Sequence, residues 1–241
     1  MVQPREFKDA IFEQLANVVS AFASPKRIEI IDLLSQGERS VESIAAATAM
    51  TVANTSRHLG ILRTHGMVLA RRDGTYVIYR IADESVILGY RQLRSLAESR
   101  IGEIRQLASA FFGEVDGAEP VELDELLARA QCGDVVIVDV RPRLEYDAGH
   151  LDGALSVPLE EMANHLDRFA DTTVVAYCRG PYCVLSALAV AQLRGAGITA
   201  SRLADGPTEW SAAGIELTRS PMLKAPHHPA TRARTSEATQ S

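Results

Sequence analysis

Two of the three cysteines of this chain lie five residues apart. Cys178 ends the apolar run VVAYC, which begins with two β-branched valines, and Cys183 precedes the apolar segment VLSALAVAQLR, with Gly180 and Pro181 between them. This order predicts a strand, a tight loop and a helix. A thiolate there lies in positive potential, because loop N–H groups and the helix N-terminus point toward it. The pattern therefore predicts a cysteine of lowered pKa that can carry a persulfide.

The second cysteine of the loop has two open interpretations. Cys183 can resolve a Cys178 persulfide into a disulfide or a sulfur-bridged crosslink. Alternatively, it begins the helix with its thiol packed inward. Cys132, in QCGDVVIV, is predicted to be an incidental thiol. Three cysteines do not make a disulfide framework, which favours a reducing compartment.

A competing chemistry is excluded by spacing. Phosphatases and arsenate reductases use a Cys-x5-Arg loop whose arginine binds an oxyanion through two hydrogen bonds. The residue six positions after Cys178 is Val184. Phosphoryl or arsenate transfer is therefore not expected.

Length and charge predict two domains with different partners. The chain has 241 residues, enough for two domains. Up to Val115 it has 14 Lys and Arg against 13 Asp and Glu, and the remainder has 11 against 18. Any contact with nucleic acid is therefore expected from the N-terminal part. We expect a cytoplasmic protein with no membrane contact, since neither a signal peptide nor an apolar span is recognisable.

The N-terminal part has the pattern of a winged helix-turn-helix. SVESIAAATAM predicts a short helix, and TVANTSRHLGILRTHG predicts a second helix that begins at a capping Thr51 and ends at Gly66. Two short helices joined by a tight turn form a helix-turn-helix, whose second helix enters the major groove. MVLARRDGTYVIYRI then predicts a hairpin around Asp73-Gly74, a basic wing.

The remainder divides at a short linker. Residues 84–112 form one amphipathic pattern that predicts a long dimerisation helix. Residues 113–120, GEVDGAEP, form an acidic linker. Strands and helices alternate after it, which is typical of a parallel sheet in an α/β domain. Residues 220–241 are poor in large apolar residues, and we expect a disordered tail.

Two family resemblances follow from these residues. Residues 7–82, with SPKRIEIIDLLSQGERSVESIA and SRHLGILRTHGMVLARRDGTYVIYRI, resemble the ArsR-type winged-helix repressors. Residues 121–218, with VVIVDVRPRLEYDAGHLDGALSVPLEEM and VVAYCRGPYCVLSALAVAQLRGAGI, resemble a rhodanese domain, a sulfurtransferase. The expected domains are an ArsR-type DNA-binding and dimerisation domain (1–112), the linker (113–120), a rhodanese-like domain (121–219) and the tail (220–241).

The rhodanese resemblance assigns the sulfur-accepting role to Cys178, and Arg179 could attract an anionic donor. The backbone that would surround the sulfur is Arg179, Gly180, Pro181, Tyr182, Cys183 and Val184. Asp139, Arg141, Glu145 and His150 match a second rhodanese motif, for which we expect a structural role.

The ArsR-type resemblance implies a double-stranded DNA operator and a homodimer. Asn and Arg suit base edges, and Ser suits phosphate. The predicted DNA-binding residues are Asn54, Thr55, Ser56, Arg57 and His58 of the second helix and Arg71 and Arg72 of the wing. A metal site is not expected, because residues 1–131 lack cysteine and residues 84–112 lack histidine. No cofactor is expected.

Two functions remain open at this stage. One is a repressor whose operator affinity responds to a small sulfur donor (a persulfide, a polysulfide or thiosulfate) at Cys178. The other is a sulfurtransferase enzyme whose DNA-binding domain serves only for localisation or autoregulation. A degenerate docking module is disfavoured by the intact CRGPYC loop.

Overall fold

The computed structural model describes residues 3–117 and 120–220. Its N-terminal domain contains helices and a small antiparallel sheet with strand order β1-β3-β2. The first four helices are α1 (Pro4–Phe22), α2 (Pro25–Ser35), α3 (Val41–Ala47) and α4 (Val52–Thr64), and the strands are β1 (Arg39–Ser40), β2 (Val68–Asp73) and β3 (Tyr76–Ile81). The predicted winged helix-turn-helix is confirmed, with α3 and α4 as its two helices.

Local signals in the sequence explain where these elements begin. The Ser40 hydroxyl accepts from the Ser43 N–H at 3.2 Å, and the Thr51 hydroxyl accepts from the Asn54 N–H at 3.2 Å, so each side chain caps the helix that follows. Gly74 turns the wing with a φ of 61°. The domain core lies between the helices and the sheet and includes Ile30, Ile31, Leu34, Ile44, Leu59, Leu62 and Val68.

The prediction of a single long helix over 84–112 is wrong. The structure has α5 (Glu84–Arg100) and α6 (Gly102–Val115), separated at Ile101, whose φ of −113° and ψ of 93° are extended. Gly102 disfavours a continuous helix, and the Arg105 guanidinium caps α5 by donating to the Glu98 carbonyl at 2.9 Å. Val86 and Tyr90, two apolar residues of the amphipathic pattern over 84–112, pack in the core of their own domain.

The expected linker also begins later than residue 113, since α6 continues to Val115. The next residue, Asp116, accepts a 2.7 Å hydrogen bond from Arg202 of the second domain. The connection is therefore tied to both domains. Of the predicted tail, 221–241 lie outside the described residues.

The C-terminal domain has the predicted parallel sheet, with strand order β5-β4-β6-β7. Its strands are β4 (Val136–Asp139), β5 (Leu155–Ser156), β6 (Thr173–Tyr177) and β7 (Thr199–Arg202), and its α-helices are α7 (Leu123–Gln131), α8 (Arg143–Ala148), α9 (Leu185–Gly195) and α10 (Pro207–Ala212). Apolar side chains cover both faces of the sheet, as the βα alternation requires. In the part of the chain that the structure describes, no helix is long and apolar enough to cross a bilayer.

Candidate functional site

Cys178 lies where the sequence predicts, directly after β6 and before α9. The β6 run is buried because the sheet is covered on both faces, and Cys178 itself is 3% exposed. As a thiol it donates to the Cys183 carbonyl at 3.2 Å, and its sulfur lies 3.2 Å from the Ser186 hydroxyl. The cysteine is therefore held by the far end of its own loop and by the first turn of α9. We call residues 178–183 the Cys loop.

Hydrogen bonds favour the thiolate form of this residue. Burial by itself raises the pKa of Cys178. The Cys183 thiol, the Ser186 hydroxyl and the N–H groups of Ser186 and Gly180 all point to the sulfur, and together they lower this pKa to about 7. A substantial fraction of Cys178 is therefore nucleophilic at neutral pH.

The backbone that surrounds the sulfur differs from the expected set. Gly180 supplies an N–H, but Pro181 has none, and the Cys183 N–H bonds instead to the Gly180 carbonyl at 3.1 Å. The sequence interpretation missed Ser186, which is in the first turn of α9. A hydroxyl residue at a helix start beside a cysteine is the signal that could have identified it.

The two cysteines of the loop form a hydrogen-bonded pair. Cys178 donates to the Cys183 carbonyl, and interaction of the Cys183 thiol with the Cys178 sulfur, then burial, raises the pKa of Cys183. The proton of the pair therefore stays on Cys183 while Cys178 ionises. Both are free thiols in the structure, and Cys132 is an exposed third.

Arg179 is held by an ion pair rather than being free. Its Nε lies 2.9 Å from Oε2 of Glu145, and its Nη2 lies 2.7 Å from Oε1. Glu145, on α8, is fully buried and also accepts from Nη2 of Arg39, which belongs to the winged-helix domain. The carboxylate thus joins the Cys loop to the first domain. We call these three side chains the Arg39–Glu145–Arg179 bridge.

A neighbouring group of buried side chains reinforces this contact. The expected Asp139–Arg141 ion pair forms at 2.6 Å, with both residues buried. Arg141 Nη1 also donates to Gln36 Oε1 at 3.0 Å, at the end of α2, and Gln36 Nε2 donates to the Arg179 carbonyl at 3.3 Å. Gln36, Arg39 and Glu145 are functional candidates that sequence reasoning did not assign to the site.

Most of the predicted DNA-binding residues are exposed in the first domain. Asn54, Ser56 and Arg57 are exposed on α4, and Arg72 is exposed on the wing. Thr55 is a wrong prediction, because its side chain is completely buried and its hydroxyl donates to the Thr51 carbonyl at 3.0 Å.

The two remaining predicted DNA contacts are partly engaged within the domain. His58 is half-buried, and burial, together with Arg27, Arg57 and Lys26, lowers its pKa. The ring is therefore neutral at neutral pH. Arg71 forms ion pairs with Glu38 and with Asp73. Across 3–117 and 120–220 there is no group of three or more His, Cys, Asp or Glu side chains arranged to hold a metal.

The chain matches two family models in the two domains. Residues 122–213 match the rhodanese-like domain, and residues 24–69 match the bacterial regulatory protein model of the arsR family. Over 211 residues the chain is 42% identical to the HTH-type transcriptional regulator Rv0324 of Mycobacterium tuberculosis, covering 87% of this chain and 92% of that protein.

Other similar proteins match the first domain alone. The nodulation protein NolR of Rhizobium meliloti is 33% identical over 84 residues, which are 35% of this chain and 67% of NolR. A solved fragment of Mb0332 from Mycobacterium bovis, described as a homodimeric winged helix-turn-helix DNA-binding domain, is 40% identical. The match covers 42% of this chain and 94% of that fragment, with a TM-score of 0.39.

Proposed function

Because the chain belongs to the ArsR family of bacterial transcriptional regulators and carries a rhodanese-like domain, we propose that it is a repressor whose operator affinity responds to sulfur chemistry at Cys178. The observation that carries this proposal is the position of the Cys loop against the DNA-binding domain. Arg179 is bonded through Glu145 to Arg39, and its carbonyl accepts from Gln36. A thiol that served catalysis alone would not need contact with a DNA-binding domain.

The proposed chemistry needs only the donor and the two cysteines. The Cys178 thiolate attacks the outer sulfur of a persulfide R–S–SH, the donor S–S bond breaks, and RSH leaves once the thiolate RS⁻ takes a proton. The products are Cys178–S–SH and RSH. With thiosulfate the leaving group is sulfite. The lowered pKa of Cys178 supports this step, because it supplies the thiolate.

Cys183 can then react in two ways, which give a disulfide or a trisulfide. Its sulfur attacks the Cys178 sulfur and expels hydrosulfide, which takes the Cys183 proton, so the products are a Cys178–Cys183 disulfide and hydrogen sulfide. If Cys183 is itself a persulfide, the two persulfides condense to a trisulfide with loss of hydrogen sulfide. Neither reaction consumes a further oxidant. The interaction between the two thiols, and the bond from Cys178 to the Cys183 carbonyl, support both.

DNA binding requires two copies of the chain in this proposal. Helix α1 exposes an apolar face that suits a second copy, with Phe7, Ile11, Leu15 and Val18 at helical spacing. In the homodimer, the α4 helices enter successive major grooves. A change at the Cys loop alters their separation, and a tenfold to hundredfold change in affinity requires about 1.4–2.8 kcal/mol of coupling.

The test is the affinity of the full chain for operator DNA, measured by fluorescence anisotropy before and after treatment with glutathione persulfide. The duplex is selected for binding from a random pool, and the loop peptide of each sample is analysed by mass spectrometry. Weaker binding with added sulfur in wild type, and no change in Cys178→Ser, is expected. The Cys183→Ser variant shows whether a crosslink is needed. Indifference of wild-type binding to loaded sulfur rejects the proposal.

The second candidate is a sulfurtransferase, which the low pKa of Cys178 also favours. Rapid multiple turnover with a thiosulfate or persulfide donor, with unchanged DNA affinity, would establish it. The same samples decide between the two functions.

A further inference from the structure

The Cys loop contacts the winged-helix domain along its length. Gln36 donates to the Arg179 carbonyl, and the Tyr182 hydroxyl donates to Glu98 of α5 at 2.7 Å. Gly180 packs closely against Glu209 of α10, since a Cβ added at Gly180 would lie 3.0 Å from Glu209 Oε2. Glu209 in turn accepts a 2.7 Å hydrogen bond from Arg94 of α5. The loop therefore cannot change shape without disturbing these contacts.

The Arg39–Glu145–Arg179 bridge is the most buried of these contacts. Glu145 is fully buried and Arg39 is 5% exposed, so water cannot replace either partner when one moves. The carboxylate accepts from both guanidinium groups, and Oε1 is shared between them. A displacement of Arg179 therefore changes the environment of Arg39 directly.

Arg39 lies between the two DNA-binding parts of its domain. It is in β1, where it pairs with Tyr79 of the wing strand β3. The next residues lead into α3, the first helix of the helix-turn-helix, and Arg39 Nη1 lies 3.4 Å from the Ser43 hydroxyl there. A shift at Arg39 thus reaches the wing and the helix-turn-helix together.

We infer that the Arg39–Glu145–Arg179 bridge couples the chemical state of Cys178 to the DNA-binding surface, with Glu145 and Arg39 as positioning residues. This inference rests on the proposed function and names its transmission route. Arg179 follows Cys178 in the chain, and its guanidinium faces two kinds of anion, the ionised cysteine and Glu145. A neutral disulfide in the loop removes the first anion and changes the loop backbone. Arg179 and Glu145 then readjust against Arg39.

The bridge has a consequence that does not involve sulfur. Coupling between two sites is reciprocal, so if the charge of Cys178 changes the affinity for DNA, bound DNA must change the pKa of Cys178 by the matching factor. A direct electrostatic effect of the DNA on the thiol would persist when the bridge is cut. An effect that passes through the bridge would disappear.

The experiment measures the pH dependence of Cys178 alkylation by iodoacetamide in the full chain, with and without the selected duplex, by site-resolved mass spectrometry. Arg39→Gln cuts the bridge on the DNA-binding side and leaves Glu145 paired with Arg179. Glu145→Gln cuts both sides. Arg143→Gln is the matched control, because Arg143 pairs with Asp147 on the surface of the same helix.

In wild type and Arg143→Gln we expect the duplex to shift the alkylation midpoint by about one pH unit, a tenfold coupling. In Arg39→Gln the midpoint is again compared with and without the duplex, and the shift between the two should be lost. If Glu145→Gln does not fold, Arg39→Gln decides alone, since it retains one buried ion pair.

In the alkylation experiment, the inference is overturned by a wild-type midpoint that DNA does not move or by a shift that Arg39→Gln retains. Each variant is also treated with glutathione persulfide, and its DNA affinity is measured. A wild-type affinity that ignores loaded sulfur rejects the proposed function, whatever the alkylation shows. A sulfur response that survives Arg39→Gln rejects only the bridge.

Discussion

Tyr182 of the Cys loop donates a 2.7 Å hydrogen bond from its hydroxyl to Oε1 of Glu98 on α5. The two residues are 84 positions apart and belong to different domains. Burial, and then the bond to Glu98, raises the pKa of Tyr182 to about 12, so the hydroxyl remains a donor at neutral pH. The bond fixes the exposed end of the loop against the DNA-binding domain.

The variant Tyr182→Phe should remove this bond and little else. Both side chains are partly exposed, so we expect a loss of about 0.5–1 kcal/mol in the free energy of unfolding, measured in urea. The double variant with Tyr182→Phe and Glu98→Ala should lose less stability than the sum of the two single losses, because both substitutions remove the same bond. Tyr76→Phe in the wing, a tyrosine of similar exposure, should be additive with Glu98→Ala. Additivity for Tyr182 as well would contradict the contact.

The pH dependence of Cys178 reactivity follows from its hydrogen bonds. Only the thiolate reacts with iodoacetamide, so the rate should rise with pH and level off, with a midpoint of about 7. Cys183→Ala removes a donor to the sulfur and should move the midpoint up toward the ordinary thiol value of about 8.5. Cys183→Ser keeps a hydroxyl donor and should move it less.

Two further variants test the same site. Ser186→Ala also removes a donor and should raise the midpoint. Cys132→Ser changes an exposed thiol outside the loop and should leave the profile as in wild type. A midpoint that Cys183→Ala leaves in place would show that the cysteine pair does not set the reactivity of Cys178.

The apolar face of α1 should hold the proposed dimer together. Leu15 is 56% exposed on this face, and Leu15→Asp would place a charge there. We expect sedimentation velocity to show a monomer, and DNA affinity should fall at least tenfold because one half-site is lost. Asn17→Asp adds the same charge on the opposite side of α1 and should remain a dimer. A dimer in both variants would place the interface elsewhere.

The contact of α4 with DNA can be tested at Arg57. Arg57→Ala should weaken binding and, if Arg57 neutralises a phosphate, reduce the salt dependence of log affinity by about one. Thr55→Val, which removes a buried hydroxyl, should lower stability without changing that slope. Arg129→Ala, on the surface of α7 in the second domain, is the charge-matched control. Equal effects of Arg57→Ala and Arg129→Ala would mean that α4 does not face the DNA.

The elements with local signals could be predicted from the sequence. Thr51 caps α4, Asp73-Gly74 turns the wing, and the VVAYC run forms β6 as expected, because each signal acts within a few residues. The position of Cys178 between strand and helix follows from the same local order. The resemblance to two families extended these elements to whole domains.

The wrong predictions concern faces and packing. The sequence predicts Thr55 on the DNA-facing side of α4, but one residue of rotation on a helix is about 100°, and contacts with the rest of the domain decide which side is buried. The long helix breaks at Ile101 because α6 turns to pack on α9, a contact that periodicity alone does not contain. The sequence does not assign Ser186 to the site, because its hydroxyl reaches the Cys178 sulfur only in the folded Cys loop.

The sequence by itself determined the two domains, most of their secondary structure and the position of Cys178 between a strand and a helix, since these depend on neighbours in the chain. Only the tertiary structure decided that Gln36 and Arg39 meet Arg141, Glu145 and Arg179, which lie more than 100 residues further along. Hydrophobic periodicity in the sequence does not predict contacts between residues so far apart in the chain. Once packing of the two domains buries these charges, they must pair with one another, because an unpaired buried charge is costly.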